Sequence, residues 1–184
     1  NEINRATEYS QNTLLEPLEE ASIGIPHLGR IKADNNFFFI CAMNPEELSG
    51  THRLSEALKD RIKVWIKLTY PDKSTELDII RINLPEHFVI EESELELIYS
   101  IIKETRQNKI DIEIPASIRA GIAIAKLLAR KRIVEKEQEV KEKESVYIYL
   151  SEIARHVLLG SLKPKPGVKV ENVIENIIHK TLGG

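Results

Sequence analysis

The sequence predicts an α/β unit followed by an all-helical unit, on three observations. Residues 36–61 pass from an unbroken apolar run, Phe37 to Met43, into a polar turn at Asn44-Pro45 and then a short helix. A run without polar alternation suits a strand buried on both faces, and its carboxyl end is where open α/β sheets hold ligands. Next, Ile62, Val64, Ile66 and Leu68 alternate with Lys63, Trp65 and Lys67, the period of a strand with one more accessible face. After Asn83-Leu84-Pro85 the apolar stripes take helical spacing. The expected division is therefore 1–82 for the α/β part and 83–184 for the helical part.

Taken in order, residues 1–20 open on a polar, acidic cluster and place Leu14, Leu15 and Leu18 on one helical face. Pro17 falls inside that helix and should kink or end it. Ser22 to Ala33 reads as a hairpin, with turn signals at Pro26 and Gly29. A short helix near Ser55–Lys59 delivers Asp60-Arg61 into the strand Ile62–Leu68. Tyr70-Pro71-Asp72 closes that strand, and Ser74 can cap a helix reaching about Ile82. Four further helices are expected, near 93–106, 116–134, 146–162 and 170–182. Between the middle two, Glu135 to Glu144 carries the four-residue pairs Glu137/Lys141 and Glu139/Lys143, the pattern of a solvated helix or linker.

Composition excludes several function classes. The net charge of −3 over 184 residues leaves no electrostatic footprint for nucleic acid. No apolar run approaches the roughly 20 residues of a membrane span, and no signal peptide opens the sequence, so a cytoplasmic setting is expected. The single cysteine, Cys41, lies inside the apolar run and reads as a small hydrophobe; one cysteine cannot build a disulfide framework. The five histidines show no metal-ligand spacing, and Ser10, Ser49 and Ser55 have no base context for nucleophilic catalysis.

Two segments resemble a known family. Asn1-Glu2-Ile3-Asn4-Arg5-Ala6, with Leu14-Leu15 and Leu18-Glu19-Glu20 behind it, is similar to the Walker B segment and following helix of AAA+ ATPases, most closely the MoxR group. There the family reads Asp-Glu-Ile-Asn-Arg-Ala, so Asn1 stands in place of an Asp. Residues 36–61 resemble the sensor-1 and arginine-finger region of the same group. Ile114-Pro115-Ala116-Ser117-Ile118-Arg119-Ala120 resembles its sensor-2 segment, and Thr105-Arg106 matches a recurring pair at the end of a lid helix, read as structural. The fold implied is part of an AAA+ nucleotide-binding core followed by a helical lid.

The resemblance implies the following roles. Glu2 polarises the attacking water, Asn44 orients it, and Arg61 acts across a subunit boundary as a finger, with Arg53 a second candidate. Arg119 reaches the nucleotide γ-phosphate, and Asn1 touches magnesium through a water without supplying charge. ATP and magnesium are the implied cofactors, and the implied assembly is a ring, a hexamer, working with a von Willebrand A-domain partner in remodelling or metal insertion. No Gly-x-x-x-x-Gly-Lys-Ser/Thr loop occurs anywhere in the sequence. The chain is therefore expected to be the C-terminal part of a longer ATPase, inactive alone. The same features fit a non-catalytic assembly or regulatory module. Each residue also has a plain structural reading: Glu2 a helix-terminal acid, Asn44 a turn residue, Arg61 a partner of Asp60 or Glu56, Arg119 an exposed cation beside a carboxylate. Independently of the family, Arg119 puts a cation at the positive end of a helix, a position that an external anion would relieve.

Overall fold

The computed structural model describes residues 1–44, 52–137 and 146–183. It divides into two compact units, 1–68 and 69–184. The sequence reading sets a domain boundary after Ile82. The compact units part earlier because Leu77 and Ile80 of the following helix are buried in the helical core.

The first unit is built from short pieces. A 3-10 turn, Ile3–Arg5, leads into α1 (Glu8–Asn12) and α2 (Leu15–Glu20). Two helices replace the single one expected. Pro17 sits in the first turn of α2, where its missing N–H has no intrahelical partner to lose. Strands β1 (Ser22–Ile25) and β2 (Gly29–Lys32) form an antiparallel hairpin pairing Ser22 with Lys32 and Ile25 with Gly29. His27 and Gly29 take left-handed backbone in its turn, which the glycine accepts at no steric cost. Helix α3 (Glu56–Arg61) starts at Ser55, whose hydroxyl accepts from the Leu58 N–H at 3.3 Å. Arg61 is thus the last residue of a helix, not the entry to a strand.

The two strands expected at Phe37–Met43 and Ile62–Leu68 do not form. Neither stretch is paired in a sheet among the described residues. A strand needs a neighbour for its backbone groups, and the described sheets are the two-stranded β1–β2 and β3–β4 pairs. The side chains follow the backbone. Phe38 and Ile40 are 80% exposed and Leu68 is 87% exposed, in place of the burial that their composition predicts. Amide exchange should accordingly be fast over 37–43 and 62–68 and slow in the core helices of the second unit. Uniform high protection across both units of the isolated chain would contradict this account.

The second unit is a helical assembly with one continuous core. It contains α4 (Lys73–Ile82), α5 (Glu92–Gln107), β3 (Ile112–Ile114), α6 (Ile118–Glu137), α7 (Val146–Leu159), β4 (Lys163–Pro164) and α8 (Val170–Leu182). Ile80, Ile98, Ile102, Ile124, Leu128, Leu150, Leu158 and Ile177 are at the centre of that core. Side-chain bulk is limited at Gly121, where an added Cβ would lie 3.3 Å from the Ile80 side chain. The capping residue of α4 is Asp72 rather than Ser74. Its carboxylate accepts from the Thr75 N–H at 2.9 Å and from the Ser74 hydroxyl at 2.7 Å. These bonds, the Thr75 one foremost, hold the Asp72 carboxyl below its usual range. Helix α5 begins with a reciprocal box between Glu91 and Glu94, and the buried Glu94 also pairs with Arg132 of α6. Among the described residues no helix is long and apolar enough to cross a membrane. The pairs Glu137/Lys141 and Glu139/Lys143 lie outside the described residues, as does Ser49.

Candidate functional site

In the first unit, one buried amide organises the segments that carry Glu2 and Asn44. The Ile3 N–H donates to the Ala42 carbonyl at 2.9 Å. Beside it, Asn4 is fully buried and faces Asn44 as a second strand would. Its Nδ2 donates to the Asn44 carbonyl at 2.9 Å, and its Oδ1 accepts from the Asn44 N–H at 3.3 Å. The Asn4 carbonyl in turn accepts from the His52 N–H at 2.6 Å. The carboxyl end of the apolar run is thereby fastened to the turn that begins the chain, although 40 residues separate the two partners.

Asn4 is the residue that local sequence reasoning passed over. Its only signal is position: a polar amide two residues after Glu2, inside a motif whose other members carry the chemistry. Asn4→Ala removes both bonds to Asn44 and leaves the Asn44 amide and carbonyl without those partners, a cost of about 1–3 kcal/mol. The Asn44 amide should then exchange faster while the β1–β2 hairpin keeps its protection. Unchanged exchange at Asn44 would mean that the clasp holds nothing.

The predicted residues fall into three places. Glu2 has left-handed backbone, with φ 53°, and its carboxylate lies 3.1 Å from the Arg5 Nε. Both side chains are more than half exposed, so this pair contributes little to stability. Asn1 is exposed beside it. Asn44 is half-buried, and its side-chain amide has no partner among the described residues.

Arg61 occupies a second place in the same unit. Its Nη1 donates to the Ala57 carbonyl at 2.8 Å and its Nη2 pairs with Glu19 of α2. The partner is thus neither Asp60 nor Glu56; Glu56 pairs with Lys59 instead. The Arg61 Nε is buried without a hydrogen-bond partner among the described residues. A guanidinium with one nitrogen unsatisfied and one carboxylate partner can exchange that partner for another anion of similar geometry. Arg53 is exposed, just before α3.

Arg119 lies in the second unit, as the second residue of α6, exposed and without a carboxylate partner among the described residues. Among the described residues the carboxylate pairing open to it in the sequence is not seen. No group of three His, Cys, Asp or Glu among the described residues converges as a metal site. The structure therefore joins the segments of Glu2 and Asn44 by backbone and amide bonds, ties Arg61 to Glu19, and leaves Arg119 at a helix start.

Comparison with known proteins shows what the chain is similar to. Residues 1–64 match the model of the ATPase family associated with various cellular activities (AAA). The matched stretch takes in Asn1, Glu2, Asn44 and Arg61, and stops short of Arg119. The chain is 25% identical over 200 residues to the uncharacterized protein YeaC of Bacillus subtilis (strain 168), covering 96% of this chain and 62% of that one. A solved structure, "a putative ATPase from Cytophaga hutchinsonii ATCC 33406", is 23% identical, covering 97% of this chain and 63% of that one, with a TM-score of 0.41. The chain thus spans a little over three fifths of the length of these relatives.

Proposed function

We propose that this chain supplies the hydrolysis-side elements and the helical lid of an AAA-type ATPase of the MoxR group. The observation that carries the reading is the Asn4 clasp, which fixes Asn44 beside the segment of Glu2 within the stretch that resembles the AAA family. In this reading Glu2 takes a proton from the attacking water and Asn44 orients that water through its uncommitted side-chain amide. Arg61 exchanges Glu19 for the phosphoryl group of a neighbouring subunit's ATP, and Arg119 meets the γ-phosphate at the positive end of α6.

The residues present fit magnesium in one way only. Asn1 offers a neutral oxygen and Glu2 a single carboxylate, and no protein cage forms among the described residues. Such a donor set suits an ion held mainly by nucleotide oxygens and waters, with Asn1 touching it through one of them. Bound there, the ion would neutralise charge developing on the phosphates. The whole protein would assemble as a cytoplasmic ring, a hexamer, and couple turnover to client remodelling or metal insertion with a von Willebrand A-domain partner.

A second reading, a non-catalytic assembly or regulatory module, draws on the neutral Asn1 and on the Arg61–Glu19 pair. Calorimetry with magnesium-ATP tests what this chain does alone. The chain 1–184 has no phosphate-cradling loop in its sequence, so binding should be weak or absent and hydrolysis nil. A micromolar dissociation constant would mean that the nucleotide site lies elsewhere than proposed. In the whole protein, Glu2→Gln should slow turnover by about 10²–10⁴ if Glu2 acts as base. Undiminished turnover would remove Glu2 from the mechanism.

A further inference from the structure

The most deeply buried charge among the described residues of the helical unit is Glu76 of α4, at 1% exposure. Its two oxygens accept from Nη1 and Nη2 of Arg106, both at 2.7 Å, in a two-pronged pair. Arg106 is itself only 13% exposed, and its Cζ lies 3.7 Å from the centre of the Tyr70 ring. Its remaining nitrogen, Nε, points to the Ala116 carbonyl at 3.4 Å. The preceding residue completes the grip. The Thr105 hydroxyl accepts from the Ala116 N–H at 3.1 Å and donates to the Ile102 carbonyl at 2.7 Å.

Consecutive residues at the end of α5 therefore hold the N–H and the carbonyl of one residue, Ala116. Ala116 is fully buried, two residues before α6 begins and three before Arg119. The direction of a helical side chain follows from the position and rotation of its first turn. Fixing the residue that enters α6 fixes where Arg119 can reach. Arg119 has no carboxylate partner of its own among the described residues, so its placement depends on the helix that carries it.

A buried ion pair is a poor device for stability, since well-packed apolar residues often do as well or better. What it offers here is direction: five polar contacts through Thr105 and Arg106 converge on α4, α5 and the α6 entry. The guanidinium also lies against the ring of Tyr70, the second residue of the helical unit. The geometry points to Arg106 as the positioning residue for Arg119: it holds the start of α6 so that Arg119 is presented to a nucleotide phosphate. This rests on the phosphate reading of Arg119 proposed above.

The test uses the whole protein and the variants Arg106→Lys, Arg119→Ala and their combination. Lysine keeps a charge against Glu76 but cannot span the carboxylate and Ala116 together. Amide exchange at Ala120 and Gly121 should quicken about ten-fold in Arg106→Lys while α8 stays protected. Affinity for magnesium-ATP should fall about ten-fold in Arg106→Lys, and the double variant should be no weaker than Arg119→Ala alone, because both changes remove one contact. Independent, multiplying losses would overturn the proposal, as would unchanged exchange at the start of α6. Arg119→Ala with full affinity and turnover would overturn the phosphate reading itself, and with it the role assigned to Arg106, even if exchange at α6 still changed. Should Arg106→Lys fail to fold, Thr105→Val keeps the ion pair, removes the hydroxyl's bonds to the Ala116 N–H and the Ile102 carbonyl, and carries the same expectations for the entry to α6.

Discussion

Replacing Arg61 with alanine is expected to lower ATP turnover of the assembled protein by about 10³–10⁵, the range over which arginine fingers act in phosphoryl transfer. Nucleotide binding by each subunit should survive, because a finger working in trans contacts the neighbour's phosphates and not its own. The structure adds a control. Arg61 is held by Glu19 and by the Ala57 carbonyl, so a purely structural Arg61 would show its loss as destabilisation of the α2–α3 contact. Glu19→Gln separates the two roles. It weakens the ion pair yet leaves the guanidinium in place, and the trans-acting reading predicts that turnover persists. Steady-state turnover together with thermal melting of both variants decides between them. Arg61→Ala with turnover intact would remove the finger.

The largest effect on stability is expected at Glu76. Glu76→Ala leaves Arg106 buried and without its carboxylate, a change that costs about 3–5 kcal/mol when a buried pair loses one member. Urea unfolding of the chain, followed by far-UV circular dichroism, reads mainly the helical unit, because most of the helix lies there. The midpoint should fall by an amount equivalent to that range. A shift equivalent to less than about 1 kcal/mol would place Glu76 among ordinary surface carboxylates. The exposed pairs offer the contrast. Arg155 and Glu175 bridge α7 to α8 at 2.6 and 3.0 Å, and the arginine holds the Glu175 carboxyl below its usual range, yet both side chains stand about half in solvent.

The helical unit was largely legible in the sequence because its signals are local. Apolar spacing of three and four residues marks α5, α6, α7 and α8 to within a few residues, and Pro26 with Gly29 marks the β1–β2 turn. Residues 37–43 and 62–68 show the limit of such signals. Their composition is that of buried strands, but strand formation depends on partners that local pattern does not contain; neither stretch is paired in a sheet among the described residues, and Phe38, Ile40, Ile66 and Leu68 stand largely in solvent. Long-range polar contacts were equally hidden. Asn4 meets Asn44 across 40 positions, Arg61 meets Glu19 across 42, and Arg106 meets Glu76 across 30. Each pairs residues too far apart for helical or strand periodicity to link. The candidate residues were named from motif resemblance, and the contacts that hold them had to come from the fold.

The central claim is that Glu2 and Arg61 serve the same reaction from different subunits. Mixing two inactive variants of the whole protein, Glu2→Gln and Arg61→Ala, tests it most directly. Some interfaces in mixed assemblies would set an intact Glu2 against an intact Arg61 from the neighbour, and ATP turnover should partly return. Mixed assemblies that form normally yet stay as inactive as either parent would contradict the claim and leave Arg61 as the structural partner of Glu19.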